Sequence, residues 1–184
     1  LARDERIRGE PLVDAGIVDE HVPGIPQDDG AHRVLAGADV GDDAVRVDMG
    51  LARFGGEKLA GFDGEAVNAA LHTAGRNFTF TFVDVGNPHA VIQSPWPLEL
   101  VPLHEVGPMI EEHKYFPRKA NVEFVKVVGE HEAKVRVWER GVGETRACGT
   151  GATATAVALV KTGQCTSPVT VELPGGRLVV EVEP

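Results

Sequence analysis

Over residues 78–85 the chain alternates without interruption, with Phe78, Phe80 and Phe82 on one face and Thr79, Thr81 and Val83 on the other. A period of two predicts a strand. It should end at Gly86-Asn87-Pro88-His89, because proline pushes the residue before it into an extended conformation and forces a turn. Residues 121–128 and 134–138 predict two more strands, joined by a polar turn around Gly129. Residues 169–173 and 177–182 predict a hairpin around Pro174-Gly175-Gly176. Nearer the N-terminus, residues 32–36 and 44–49 are strand candidates; in the second, Val45 and Val47 alternate with Arg46 and Asp48.

Helical period is scarcer. Residues 105–113 predict a short helix with Val106, Met109 and Ile110 on one side. Residues 152–160 are so rich in alanine and threonine that only a packed helix suits them; it is expected to open at Cys148, run to about residue 162 and stop at Gly163. Residues 1–9 suit the tail of a polar helix ending at Gly9, whereas prolines, glycines and aspartates break any period over residues 11–41. The glycine-rich stretch 50–65 looks like a linker, and residues 93–102 a proline-punctuated loop. The pattern as a whole predicts an α/β (α+β) chain in which strands dominate.

A length of 184 residues admits one compact domain or two small lobes, and 42% hydrophobic content is enough to build a core. The net charge of −10 disfavours nucleic acid and anionic membrane as partners, since both need a basic footprint, but it does not oppose a small zwitterionic substrate. No run approaches the roughly 18 apolar residues of a membrane span, and no secretory signal stands at Leu1. Cys148 and Cys165 are the only cysteines, without ligand-like spacing to histidines. That argues against a disulfide framework or a structural zinc site and for a reducing, cytoplasmic setting.

Chemistry concentrates around Cys148, in the segment Arg146-Ala147-Cys148-Gly149-Thr150-Gly151. The first turn of a helix carries unpaired N–H groups and partial positive charge, which suit a bound carboxylate. A thiol there, close to Arg146, is expected to ionise more readily than a free cysteine. Glu139 shares a strand face with Val135 and Val137 and should point inward, where a carboxylate needs a partner. Asn87 and His89 are loop residues by pattern, Asn121 stands at a strand start, and Cys165 fits a structural role.

Four segments in fixed order carry a family likeness: VRVDMG at 45–50, VDVGNPHAV at 83–91, FPRKANVEFVKV at 116–127 and GVGETRACGTGATA at 141–154. Together they resemble diaminopimelate epimerase, a cofactor-free family that inverts an amino-acid α-carbon in lysine and peptidoglycan biosynthesis, over about residues 45–182. The resemblance implies a two-lobe fold, with residues 1–52 a remnant of the first lobe and residues 53–184 the second lobe carrying Cys148. It implies Cys148, Glu139 and His89 as catalytic residues, Cys148 being one of two cysteines that flank the α-carbon. It further implies that Asn87, Asn121, Glu139, Arg140 and the backbone of Gly149 and Thr150 bind diaminopimelate. No metal or cofactor is implied, and a homodimer is compatible with it.

The family's first cysteine motif, of CGNG type, and its closing segment have no counterpart here. The chain is therefore expected to be an incomplete epimerase, inactive alone. Two other readings stand beside this one: a sister isomerase such as proline racemase, and a non-catalytic single-lobe domain that binds an amino acid. ERGVGETRACGTG argues against the sisters, which share mainly the CGTG core.

Overall fold

A computed structural model describes residues 31–40 and 43–183; the helix expected over residues 1–9 lies outside them. Ten strands and two helices follow in order: β1 (His32–Val40), β2 (Asp43–Ala52), β3 (Ala69–Thr73), β4 (Arg76–Asp84), β5 (Pro88–Gln93), α1 (Leu103–Glu111), β6 (Asn121–Gly129), β7 (Glu132–Glu139), β8 (Gly143–Thr145), α2 (Gly149–Lys161), β9 (Val169–Leu173) and β10 (Gly176–Glu183). The strands form one mixed sheet in the order β2-β1-β10-β9-β7-β6-β5-β4-β3, with β8 added beside β7. Among the described residues, only β5–β6 and β7–β9 pair in parallel.

This sheet curls around α2. Alanine, glycine and threonine fill the helix, and every residue from Gly151 to Leu159 is buried. A helix apolar on all sides must be enclosed, and small side chains let strands approach it from several directions. It packs against β1, β2, β4, β5, β6, β7, β9 and β10. Its C-terminus is a glycine stop: Gly163, at φ 69°, and Gln164 donate back to Val160 and Leu159.

Closure comes from the segment expected to be a linker. Arg53 and Asp84 exchange backbone hydrogen bonds of 2.9 and 2.7 Å, and Gly55 pairs with Glu65. A Cβ on Gly55 would stand 2.3 Å from the Gly64 carbonyl oxygen, so glycine is what lets these backbones meet. Residues 50–65 are thus a strap joining the two ends of the sheet, not a free connection. β1 pairs with β10 and β2 with β1, and the two give Val34, Ala36 and Ala52 to the same core as α2.

The faces of β4, β5 and β6 divide two cores. Phe78, Phe80, Phe82, Ile92, Val122 and Phe124 pack outward with Leu103, Val106 and Ile110 of α1, while Val83, Val91, Val125, Val135 and Val137 face α2. Burying one such side chain contributes about 1.5–3 kcal/mol, so these layers fix the strands that carry the site.

Several expectations need correction. α1 begins and ends two residues early, and Met109 is 46% exposed while Gly107 and Glu111 complete the buried side. Trp138 packs on that buried side, its ring lying against Gly107 so closely that a Cβ would meet it at 2.7 Å. The strand expected over residues 44–49 is present as β2 at the sheet edge, where Val45 and Val47 are about half exposed. β5 lies where a loop was expected. Pro88 to Ile92 are all buried, so no alternation betrays the strand.

Candidate functional site

Along the inner face the side chains change character towards the N-terminal end of α2. Val91, Val125 and Val135 give way to His89 on β5, Asn121 and Glu123 on β6, and Glu139 at the end of β7. Parallel pairing sets His89 opposite Asn121 and Val91 opposite Glu123. His89, read from sequence as a loop residue, is a fully buried strand residue.

Cys148 is the N-cap of α2. Its backbone is extended (φ −146°, ψ 107°), its carbonyl accepts from Ala152, and its sulfur accepts from the Gly151 N–H at 3.3 Å. The N–H groups of Gly149 and Thr150 remain unclaimed among the described residues, as the first turn of a helix leaves them. Two tight approaches set the thiol in place. A Cβ on Gly151 would lie 3.1 Å from Glu123 Oε1 and 3.2 Å from Cys148 Sγ. The β9–β10 turn holds the preceding segment, with the Gly175 N–H donating to the Arg146 carbonyl at 2.7 Å.

The expectation of a readily ionised thiol is overturned. Burial pushes the Cys148 thiol up from its ordinary range, the Thr150 and Gly151 hydrogen bonds offset this only in part, and the carboxylates of Glu123 and Glu139 push it further. Arg146 gives no help: it is exposed, and its guanidinium reaches the Pro174 carbonyl at 3.5 Å. Desolvation outweighs the helix terminus here.

The other candidates form a connected set. Asn87 Nδ2 donates to Thr150 Oγ1 at 3.3 Å, and Thr150 Oγ1 lies 3.6 Å from Cys148 Sγ. His89 Nε2 stands 3.1 Å from Asn87 Oδ1, and His89 Nδ1 stands 2.7 Å from Glu123 Oε1. Asn121 Nδ2 donates to the Pro88 carbonyl at 3.1 Å, and its Oδ1 accepts from the Arg140 N–H at 2.9 Å. Glu139, half-buried, accepts from the Thr145 hydroxyl at 2.5 Å. Arg140 is exposed, with its guanidinium donating to the Arg118 carbonyl at 2.9 Å. Cys165 is buried away from this group, its sulfur 3.7 Å from the Gly129 carbonyl oxygen.

Pattern reading missed two carboxylates. Glu123 is fully buried; burial pushes it up from the usual carboxylate range and His89 opposes that shift. The alternation Asn121, Glu123, Val125 carried the signal, since it places Glu123 on the face of Asn121. Glu111, on α1, holds the turn after β7 by accepting from Trp138 Nε1 at 2.8 Å and from the Gly141 N–H at 3.0 Å. Nothing local marks it. Among the described residues, no group of three His, Cys, Asp or Glu side chains is placed to hold a metal ion.

Fold and site define an α+β chain whose sheet wraps a helix opened by a cysteine. Residues 81–184 match the family model for diaminopimelate epimerase. Proteins of that name from Stutzerimonas stutzeri (strain A1501) and Pseudomonas entomophila (strain L48) are each 46% identical over 141 residues, covering 76% of this chain and 51% of the relative. The one from Pseudomonas aeruginosa (strain UCBPP-PA14) is 44% identical over the same length. The chain belongs to the diaminopimelate epimerase family, an isomerase family by its members' names, and spans about half the length of the curated relatives it matches.

Proposed function

We propose that this chain supplies one face of the active site of a cofactor-independent epimerase that interconverts LL- and meso-diaminopimelate, with Cys148 as the acid/base thiol. The observation that carries this reading is the placement of Cys148 Sγ at the N-cap of α2 beside the free N–H groups of Gly149 and Thr150. Those donors suit the substrate α-carboxylate, where charge accumulates when the α-proton leaves. With its proton held tightly by burial, Cys148 rests as the thiol and delivers a proton to the α-carbon; in the reverse direction its thiolate removes one. Glu139, Asn87, Asn121 and the turn at Arg140 would hold the amino groups and carboxylates. His89 acts behind Asn87, from the buried side. A cytoplasmic setting and a homodimer are part of the same proposal.

Inversion needs an acid and a base on opposite faces of one carbon, and Cys165 is turned away from the site. In deuterated water with LL-diaminopimelate, the 184-residue chain is therefore expected to deuterate the α-carbon slowly at most and not to invert it at an enzyme-like rate. Any slow exchange should vanish in Cys148→Ala. Inversion at enzymatic rate would require a second acid/base within the chain. Exchange that survives Cys148→Ala would take the proton transfer away from this thiol.

A further inference from the structure

Glu123 and His89 are the most deeply placed ionisable groups near the thiol, both side chains 0% exposed. A carboxylate with no access to water needs a compensating proton. Their 2.7 Å contact can hold that proton in two ways. Either the carboxylate faces an imidazolium, or a carboxyl group donates to His89 Nδ1. In both, His89 Nε2 carries a hydrogen. That hydrogen donates to Asn87 Oδ1, 3.1 Å away and its partner among the described residues, which turns the amide so that Nδ2 donates to Thr150 Oγ1. With a lone pair so occupied, the Thr150 hydroxyl hydrogen is free to point at Cys148 Sγ.

We propose that Glu123 is a positioning residue for Cys148: by sharing one proton with His89 it fixes the direction of every hydrogen bond from His89 through Asn87 to Thr150, and so presents the Thr150 hydroxyl to the sulfur. Two further features support this. Gly151 leaves room for Glu123 Oε1 beside the helix terminus, where a Cβ would crowd it at 3.1 Å. Glu123 Oε2 is buried without a partner among the described residues, so Oε1 alone anchors the carboxyl group, through His89. The charged groups facing the sulfur are Glu123 from β6 and Glu139 from β7. Arg146 points away, and α2 brings no charge of its own in its first turn.

This deepens the reading of Cys148 as the acid/base thiol and rests on it, but its test needs no turnover. Nitrogen-15 NMR of the full chain at pH 7 should show the His89 ring protonated at Nε2; a ring protonated at Nδ1 alone overturns the proposal. The pH midpoint for iodoacetamide labelling of Cys148, followed by mass spectrometry, gives the second readout. Glu123→Met should raise that midpoint by about one pH unit, because the loss of one oriented donor to the thiolate outweighs the removal of the carboxylate's own upward push. Thr150→Val, which loses the donor and keeps the carboxylate, should raise it at least as much, and the double variant no further than Thr150→Val alone. A fall in Glu123→Met would make Glu123 a plain repelling charge, an unchanged midpoint would make it structural, and additive shifts would uncouple it from Thr150; each overturns the proposal. Should Glu123→Met fail to fold, the ring proton of the unsubstituted chain decides alone. Failure of the epimerase reading shows elsewhere, as no protection of Cys148 by diaminopimelate.

Discussion

Asn121 Oδ1 accepts a hydrogen bond from the Arg140 N–H at 2.9 Å, so the start of β6 fixes the turn that follows β7. The same side chain donates to the Pro88 carbonyl, which ties in the start of β5. One buried amide on β6 thus holds the two segments that carry His89 and the Glu139–Arg140 pair. Half of its hydrogen-bonding capacity, one N–H and one lone pair, is left for a ligand.

Asn121→Ala leaves a buried carbonyl and an N–H without partners and opens a small cavity. The expected cost is about 2–4 kcal/mol, read from urea unfolding. A loss under about 0.5 kcal/mol would show that the amide does not hold these segments together.

Gly175 is remote from the thiol in sequence, yet a Cβ there would stand 2.7 Å from the Arg146 carbonyl oxygen. Backbone cannot yield cheaply, so Gly175→Ala is expected to destabilise by about 1–3 kcal/mol. It should also change the labelling rate of Cys148 by displacing its N-cap geometry. An unaltered rate at lowered stability would separate the turn from the site.

The raised thiol predicts a pH effect on folding. The folded chain binds the Cys148 proton more tightly than the unfolded chain does. Its contribution to stability is then complete below the ordinary thiol value of about 8.5 and is lost as pH rises through the folded value. Cys148→Ser, which puts a hydroxyl oxygen in place of the sulfur as N-cap acceptor, should remove this share of the alkaline loss. Cys165, also pushed up by burial, keeps its own share in both proteins. Identical alkaline slopes would contradict the burial of the thiol.

Glu111→Gln tests support for the turn from outside the site. It keeps the shape, but an amide has a single acceptor oxygen, so one of the two hydrogen bonds accepted from Trp138 and Gly141 is lost and the other is no longer charge-assisted. A loss of about 1–2 kcal/mol and altered Trp138 fluorescence are expected. Unchanged fluorescence would remove Glu111 from that role.

Elements with a strong local pattern were legible in the sequence: β4 within two residues at either end, the β9–β10 hairpin, and α2 from its small-residue run. β5 was not, because both its faces are buried and periodicity disappears. β3 was hidden by its alanines and shows itself only through pairing with β4, across a tight turn in which Ala74 and Gly75 both have positive φ. The site residues around Cys148 were named from motif likeness, whereas the His89–Glu123 contact depends on the parallel register of β5 and β6, which no local pattern encodes. The ionisation of Cys148 was misjudged for a related reason. A helix terminus is visible in sequence, but the strands that desolvate the sulfur come from distant segments.

The central claim is that Cys148 faces the α-carbon of a bound amino acid, and substrate protection tests it most directly. The intact chain is labelled with iodoacetamide near pH 9, with and without millimolar LL-diaminopimelate, and both cysteines are followed by mass spectrometry. The account predicts slower labelling of Cys148 in the presence of diaminopimelate, no change at Cys165, and no protection by an amine lacking the α-carboxylate. Equal labelling of Cys148 with and without diaminopimelate would contradict it.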